Sequence, residues 1–247
     1  MNFRFLLRAW TFRTRRDRAE IAWILANLQR GAICLDVGAH KGGWTYWLHK
    51  AVGPGGRVIA FEPQPDLSRC LAESLRPRAF RNVTLEEVAL SAHVGSAELL
   101  VPGGPGSTSP SASLNQVVRE LEAETQVIEV PTTTLDAYAD EHGLGRVAFV
   151  KVDVEGHELE VLDGAAETLA RDRPTLLVES EARHTGEDGV NALFARLSGL
   201  GYEGGFFAHD GLHPLAEFDF ALHQPCTGPR YWDGPGYCNN FLFTARG

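Results

Sequence analysis

Asp36, Gly38, His40 and Gly42 stand together in the stretch LDVGAHKGGWT, residues 35 to 45, between an apolar strand-like run and a helix-like segment. The spacing predicts a turn that presents backbone N–H groups and a helix N-terminus to a ligand. Two phosphate cradles are excluded by the residues themselves. A nucleoside triphosphate loop ends Gly-Lys-Ser/Thr, whereas Lys41 is followed by Gly42 and Gly43. A dinucleotide turn wants G-x-G-x-x-G, and His40 takes the place of the second glycine. Asp36 adds a carboxylate that repels a pyrophosphate and suits a ligand with an ammonium and no phosphate. Glu62, twenty residues after Gly42 in VIAFEP, falls at the tip of the next strand, where an acid accepts hydrogen bonds from ribose hydroxyls. An adenosine carrying an ammonium and no phosphate describes S-adenosylmethionine.

A second group of chemistry-bearing residues lies in KVDVEGHELE. Asp153 and Glu155 fall where a strand ends, the edge of an open α/β sheet that faces the ligand crevice. Gly156 permits a sharp turn, and His157 and Glu158 enter the next helix, where an acid also favours the dipole. Methyl transfer from a sulfonium is an in-line displacement that rests on positioning. A hydroxyl acceptor further needs a general base or a metal. Asp153, Glu155, His157 and His184 are the candidates for base. Asp153, Glu179 and Glu181 are candidate oxygen ligands for a magnesium-type ion, or acids solvated at the crevice rim. Tyr231 and Trp232 could wall an acceptor pocket or simply pack under a long loop.

The elements that must position these residues alternate. RAEIAWILANL reads as a helix, AICLDV as a strand, the segment to about Lys50 as a helix, and RVIAFEP as a strand. DLSRCLAESLR reads as a helix and NVTLEEVAL as a third strand, so the order is that of a parallel sheet covered on both faces. SAELLV and QVIEVP flank a Gly/Ser/Pro-rich loop at 102–113, read as a lid candidate, and could pair as an inserted ribbon at about 96–131. TTTLDAYADEHG looks like a capped helix. The alternation resumes with VAFVKVDVEG, a helix from about Glu158 to Arg171, PTLLVES and a helix ending near Gly201. YEGGFFAH and YCNNFLFTA are the last strand candidates.

LDVGAHKGGWT, VIAFEP, TLD at 134–136, FVKVDVEGHELEVLDGA and LLVES follow one another as in the FkbM family of S-adenosylmethionine-dependent methyltransferases, which the chain resembles from about residue 32 to 244. NNFLF is similar to that family's closing strand. The resemblance implies an α/β class I methyltransferase (Rossmann-like) fold, with a seven-stranded, mainly parallel sheet and one antiparallel strand near its edge. It implies O-methylation of a small molecule, sugar or natural product. Contacts to the cofactor are then expected from Asp36, Gly38, His40 and Gly42, and from Thr45, Glu62, Glu87 and Asp153. His40 departs from the family, which commonly has Asn there. Residues 1–30 form a basic arm and helix, and 31–247 the methyltransferase domain.

Composition narrows the partners. Residues 1 to 18 hold six arginines against one acid, Asp17, a net +5, so the rest of the −9 chain carries −14. An acidic body argues against nucleic acid. The arm reads either as a packed helix with solvated arginines or as a contact for anionic lipid or a partner protein. No run of eighteen apolar residues occurs, and the four cysteines lack metal-ligand spacing, the pattern of a reduced, cytoplasmic protein. Two rivals stay open: a nicotinamide-dependent oxidoreductase, against which Asp36 and His40 argue, and a non-catalytic relative that docks through the arm.

Overall fold

Short runs of branched and aromatic side chains become strands, and the longer amphipathic runs between them become helices. The computed structural model describes residues 3–103, 107, 112–114, 125–227, 230–234 and 236–246. Five strands run parallel: β1 (Ile33–Val37), β2 (Arg57–Phe61), β3 (Val83–Glu86), β7 (Val147–Val152) and β8 (Thr175–Glu179). β11 (Asn240–Ala245) pairs antiparallel with both β8 and β9 (Tyr202–Ala208), and β10 (Gly211–Pro214) closes the edge antiparallel to β9. The order is β10-β9-β11-β8-β7-β1-β2-β3.

Alternate residues of the strands feed two cores, as the pleat requires. Cys34, Val58, Ala60, Phe149 and Leu177 face one side. They pack against α1 (Phe3–Thr11), α2 (Arg18–Asn27), α3 (Gly43–Val52) and α4 (Pro65–Leu75). Leu35, Ile59, Val150 and Leu176 face the other. There they meet α5 (Leu135–Glu141), α6 (Glu158–Asp163), α7 (Ala166–Asp172) and α8 (Ala182–Gly199). Thr134 caps α5 by accepting a 3.0 Å bond from the Ala137 N–H. Among the described residues no helix is long and apolar enough to cross a membrane, and all four cysteines are free.

The main sheet has eight strands rather than seven. The additional one, β10, is short and ends in Pro214, a residue tolerated at an edge. NVTLEEVAL is not one strand. β3 stops at Glu86, Glu87 is exposed, and the chain turns into β4 (Ala89–Leu90), which joins β6 (Thr125–Thr133) and β5 (Gly95–Pro102) in a separate three-stranded sheet. β5 and β6 pair antiparallel over their whole length. Most of the lid candidate at 102–113 lies outside the described residues. The helix expected over Glu158–Arg171 is broken between α6 and α7 around Gly164, where a Cβ would lie 2.0 Å from the Ser91 carbonyl oxygen. The close pass of the β4 connection decides that break.

Candidate functional site

β1 and β7 are neighbours, so the turns that leave their tips meet. The Asp153 N–H donates to the Val37 carbonyl at 3.0 Å. Gly38, at φ +81, lies against β7 so closely that a Cβ would come within 1.8 Å of the Asp153 carbonyl oxygen. Only glycine allows both the left-handed backbone and that approach. The Gly38 and Ala39 N–H groups both donate to the Phe61 carbonyl, at 3.0 and 2.9 Å, pinning the turn to β2. His40 is also left-handed, at φ 50. Asn and His are both enriched in that region, so this chain's departure from the family's Asn meets the same backbone demand.

Glu62 accepts bonds from the His40 N–H at 2.6 Å and the Gln64 N–H at 2.9 Å. Burial, only partly offset by those two donors, pushes its carboxyl up to about 7. Asp36 behaves differently from expectation. It is 1% exposed and lies behind the turn, where the Thr45 hydroxyl donates to it at 2.5 Å. Burial pushes it up to about 6. Asp36 and Thr45 therefore brace the turn from inside, and Gly42 packs against Phe5 and Leu71 rather than toward a ligand. β3 ends before Glu87, which faces solvent, and Val88, Ala89 and Leu90 line the cleft beside it.

The turn opens into a cleft of about 1730 Å³ whose walls include Gly38, His40, Glu62, Asp153, Glu155 and His184. Beneath it sits Lys151, fully buried on β7, with Nζ 3.2 Å from Asp153 Oδ2 and 3.6 Å from Glu179 Oε2. Burial alone would lower its pKa, but Asp153, Glu179, Asp17 and Asp36 together hold it above the ordinary lysine range. Its Nζ is 5.6 Å from the Trp44 ring centroid. The Trp44 Nε1–H donates to Asp17 at 2.7 Å, which brings the amino-terminal segment into the site.

Past the tip of β7 two left-handed residues in succession, Glu155 at φ 54 and Gly156 at φ 96, swing the chain toward the start of α8. His184 lies in the first turn of α8, ahead of a break at Gly186. Its Nε2 stands 2.8 Å from Glu155 Oε2 and 3.9 Å from Glu181 Oε1. Arg183 forks onto Glu181 at 2.6 and 2.8 Å and reaches Glu155 at 3.4 Å. Burial pushes Glu155 above the usual carboxylate range, with His184 working against it. Burial would raise Glu181 too, but Arg183 brings it below its ordinary value.

His157 is not brought to this group. Its Nε2 bonds the Ser91 hydroxyl at 2.9 Å and its Nδ1 lies 3.5 Å from Glu160, so the ring ties α6 to the β4 connection. Glu158 accepts from the Gly156 N–H at 2.9 Å and steadies the turn. Tyr231 and Trp232 do line the cleft, and Arg183 stacks 5.4 Å from the Trp232 ring centroid.

The expected metal ligands are redistributed as well. Asp153 and Glu179 hold Lys151, and the Asn239 amide donates to Glu179 at 2.7 Å. Among the described residues, the ligand-type atoms that cluster within 4.8 Å of one another belong to Glu155, Glu181 and His184. Arg183 already pairs with both of those glutamates. Lys151 and Arg183 thus each partly offset a pair of carboxylates and occupy space that a divalent ion would need.

Comparison with known proteins bears on what this arrangement is. Residues 36–206 match the Methyltransferase FkbM domain. The chain belongs to this family. It is 28% identical over 166 residues to Methyltransferase sdnD of Sordaria araneosa, covering 58% of this chain and 64% of that protein. It is 28% identical over 149 residues to the 2-O-methyltransferase NoeI of Sinorhizobium fredii, covering 57% and 60%. The match thus spans under two thirds of these relatives' lengths. Among solved structures, Methyltransferase FkbM from Methylobacillus flagellatus has a TM-score of 0.58 at 16% identity, covering 95% of this chain and 47% of that one. The O-methyltransferase TomG from Streptomyces achromogenes, solved in complex with SAM, has a TM-score of 0.54 at 15% identity, covering 100% and 91%. At such identities the likeness establishes the class I methyltransferase fold.

Lys151, Arg183, Asp17 and Trp44 were missed by sequence reasoning. A signal existed for Lys151 alone: a lysine inside the apolar run VAFVKVDV, two residues before Asp153, must share a sheet face with it.

Proposed function

We propose that this chain is an S-adenosylmethionine-dependent O-methyltransferase acting on a hydroxyl of a small molecule, sugar or natural product. The observation that carries the reading is the Glu155–His184 pair, 2.8 Å apart on the cleft wall, beside the strand tip that abuts the glycine turn. The family membership and the likeness to a 2-O-methyltransferase support an oxygen acceptor. The donor supplies a methyl group made electrophilic by its sulfonium.

Glu62 fits the donor's ribose. It is a cleft-lining carboxyl raised by burial, and hydroxyl donors would favour its charged form. The backbone from Gly38 to His40 provides the adjacent wall, with Asp36 and Thr45 holding it from behind. His184, paired through Nε2 with Glu155, is the group that takes the acceptor's proton, and Glu155 stabilises the imidazolium. With the donor bound, its methyl group would pass to the acceptor oxygen as the sulfur–carbon bond broke, and His184 would release the proton to solvent. Lys151 lies between Asp153 and Glu179 at the floor of the cleft and holds their side chains in place.

Calorimetry with S-adenosylmethionine and S-adenosylhomocysteine, followed by transfer of a labelled methyl group to a panel of hydroxyl compounds, tests this directly. Binding of both ligands is expected. If neither binds, the methyl-transfer reading is wrong.

A further inference from the structure

One side of helix α1 stays largely exposed even though Trp10 meets Trp47 edge-on at 5.7 Å. Phe5 and Ala9 are buried: Phe5 packs edge-on to Tyr46 and Phe80 at 5.9 and 5.6 Å, and the Trp47 Nε1–H donates to the Ala9 carbonyl at 2.6 Å. Phe3, Leu7 and Trp10, at positions i, i+4 and i+7, form one stripe on the opposite side. They are 75%, 57% and 50% exposed. Large apolar side chains aligned this way on a well-anchored helix are a surface awaiting a partner. Arg4 and Arg8 follow Phe3 and Leu7 along one flank of the stripe. On the other, the Arg13 guanidinium lies 4.8 Å from the Trp47 ring centroid and 5.8 Å from that of Trp10. Asp17, the single acid in the first eighteen residues, is engaged by Trp44.

We infer that α1 is an interfacial anchor that seats the protein on an anionic lipid bilayer, with Phe3, Leu7 and Trp10 entering the headgroup–acyl boundary and the flanking arginines meeting lipid phosphates. Two observations favour a bilayer over other occupants. A soluble anion or a nucleic acid would use the arginines but leave the stripe in water. The segment is +5 while the rest of the chain is −14, so a negative surface attracts the arm, repels the body and fixes the orientation. The helix is already folded against α3, so docking costs no coil-to-helix ordering. Arg4, Leu7 and Arg8 also line the cleft, so its mouth would open at the membrane plane.

The test is flotation of the full chain with vesicles of phosphatidylglycerol and phosphatidylcholine, set against vesicles of phosphatidylcholine alone. Capture by the anionic vesicles and little by the neutral ones is expected. Phe3→Ser/Leu7→Ser should weaken capture by about tenfold or more through lost apolar burial. Each of Arg4→Gln and Arg13→Gln should weaken it about fivefold. Circular dichroism confirms that the variants fold; for the unaltered protein, quenching of Trp10 fluorescence by brominated lipid, read against Trp10→Phe, reports insertion directly. The inference is overturned by absence of capture, by capture that needs the arginines but not the stripe, by a lack of quenching, or by light scattering that shows a dimer burying the stripe.

Discussion

The turn after β1 and the turn after β7 lie side by side at one end of the sheet, joined by the Asp153 N–H and the Val37 carbonyl, yet they are built from different materials. The first is almost entirely backbone: Gly38 and Ala39 clamp to the Phe61 carbonyl, and Glu62 reaches back to the His40 N–H. The second is a group of charged side chains, with Glu155, Glu181, Arg183 and His184 in contact and Lys151 beneath. A cofactor of fixed shape can be held by backbone placed once and for all. An acceptor that must lose a proton needs groups that change charge, and those can only be side chains. The comparison also separates what each end tolerates: the first is spoiled by a change of backbone, the second by a change of charge.

Glu155→Gln and His184→Asn should break the second end alone. Turnover is expected to fall by about 10²–10⁴-fold, the usual share of a general base, while calorimetric affinity for S-adenosylmethionine stays within about twofold. A parallel loss of donor affinity would show that the two ends are not separable. Lys151→Met tests the support they share. Removing one partner of a buried ion pair costs about 3–5 kcal/mol, so denaturant melts should show a loss of that size, and a near-neutral result would mean Asp153 and Glu179 simply take up protons.

Glu62→Gln sharpens the first end. Losing charged acceptors for hydroxyl donors is worth about 1.5–3 kcal/mol, so donor affinity should drop roughly ten- to a hundredfold with a smaller effect on turnover at saturation. Smaller again is a pH effect on stability. Asp36 is raised to about 6 and Glu62 to about 7, both by burial. A carboxyl with a raised folded-state pKa binds its proton more tightly folded than unfolded, so stability falls as pH climbs from the unfolded value through the folded one. The melting temperature should therefore drop between pH 5 and pH 8 by a few degrees, about the size expected for a domain of this kind, and Glu62→Gln should flatten the slope. A melting temperature that rose with pH would contradict the burial of these groups. The smallest expected effect is that of EDTA: with Arg183 and Lys151 occupying the carboxylates, neither donor affinity nor turnover should change, and a large loss would place a metal at Glu155, Glu181 and His184.

Much of this was legible in the chain. The alternation of apolar runs matched β1, β2, β7 and β8 because buried parallel strands read as short apolar stretches, and β11, antiparallel but buried between β8 and β9, reads the same way. Glu62 was legible because its place follows from a strand tip at a fixed distance from the turn. Asp36 was legible as a residue but not as a role. The strand pattern set it at the sheet end; only Thr45, folding back from the next helix, turned its carboxylate inward. The single strand expected over NVTLEEVAL failed because strand length cannot be read when the following residues are equally apolar, and β3 and β4 join different sheets.

The sequence by itself determined the sheet, the glycine turn, the acids at the strand tips and the family, because these depend on local periodicity and on residues near one another in the chain. The tertiary structure decided which charges meet. Glu155 finds His184 twenty-nine residues away, and Trp44 finds Asp17 twenty-seven away, through the order of strands and the left-handed backbone at 155 and 156. Pairing of charges depends on angstroms between distant segments, and no spacing in a sequence carries that information.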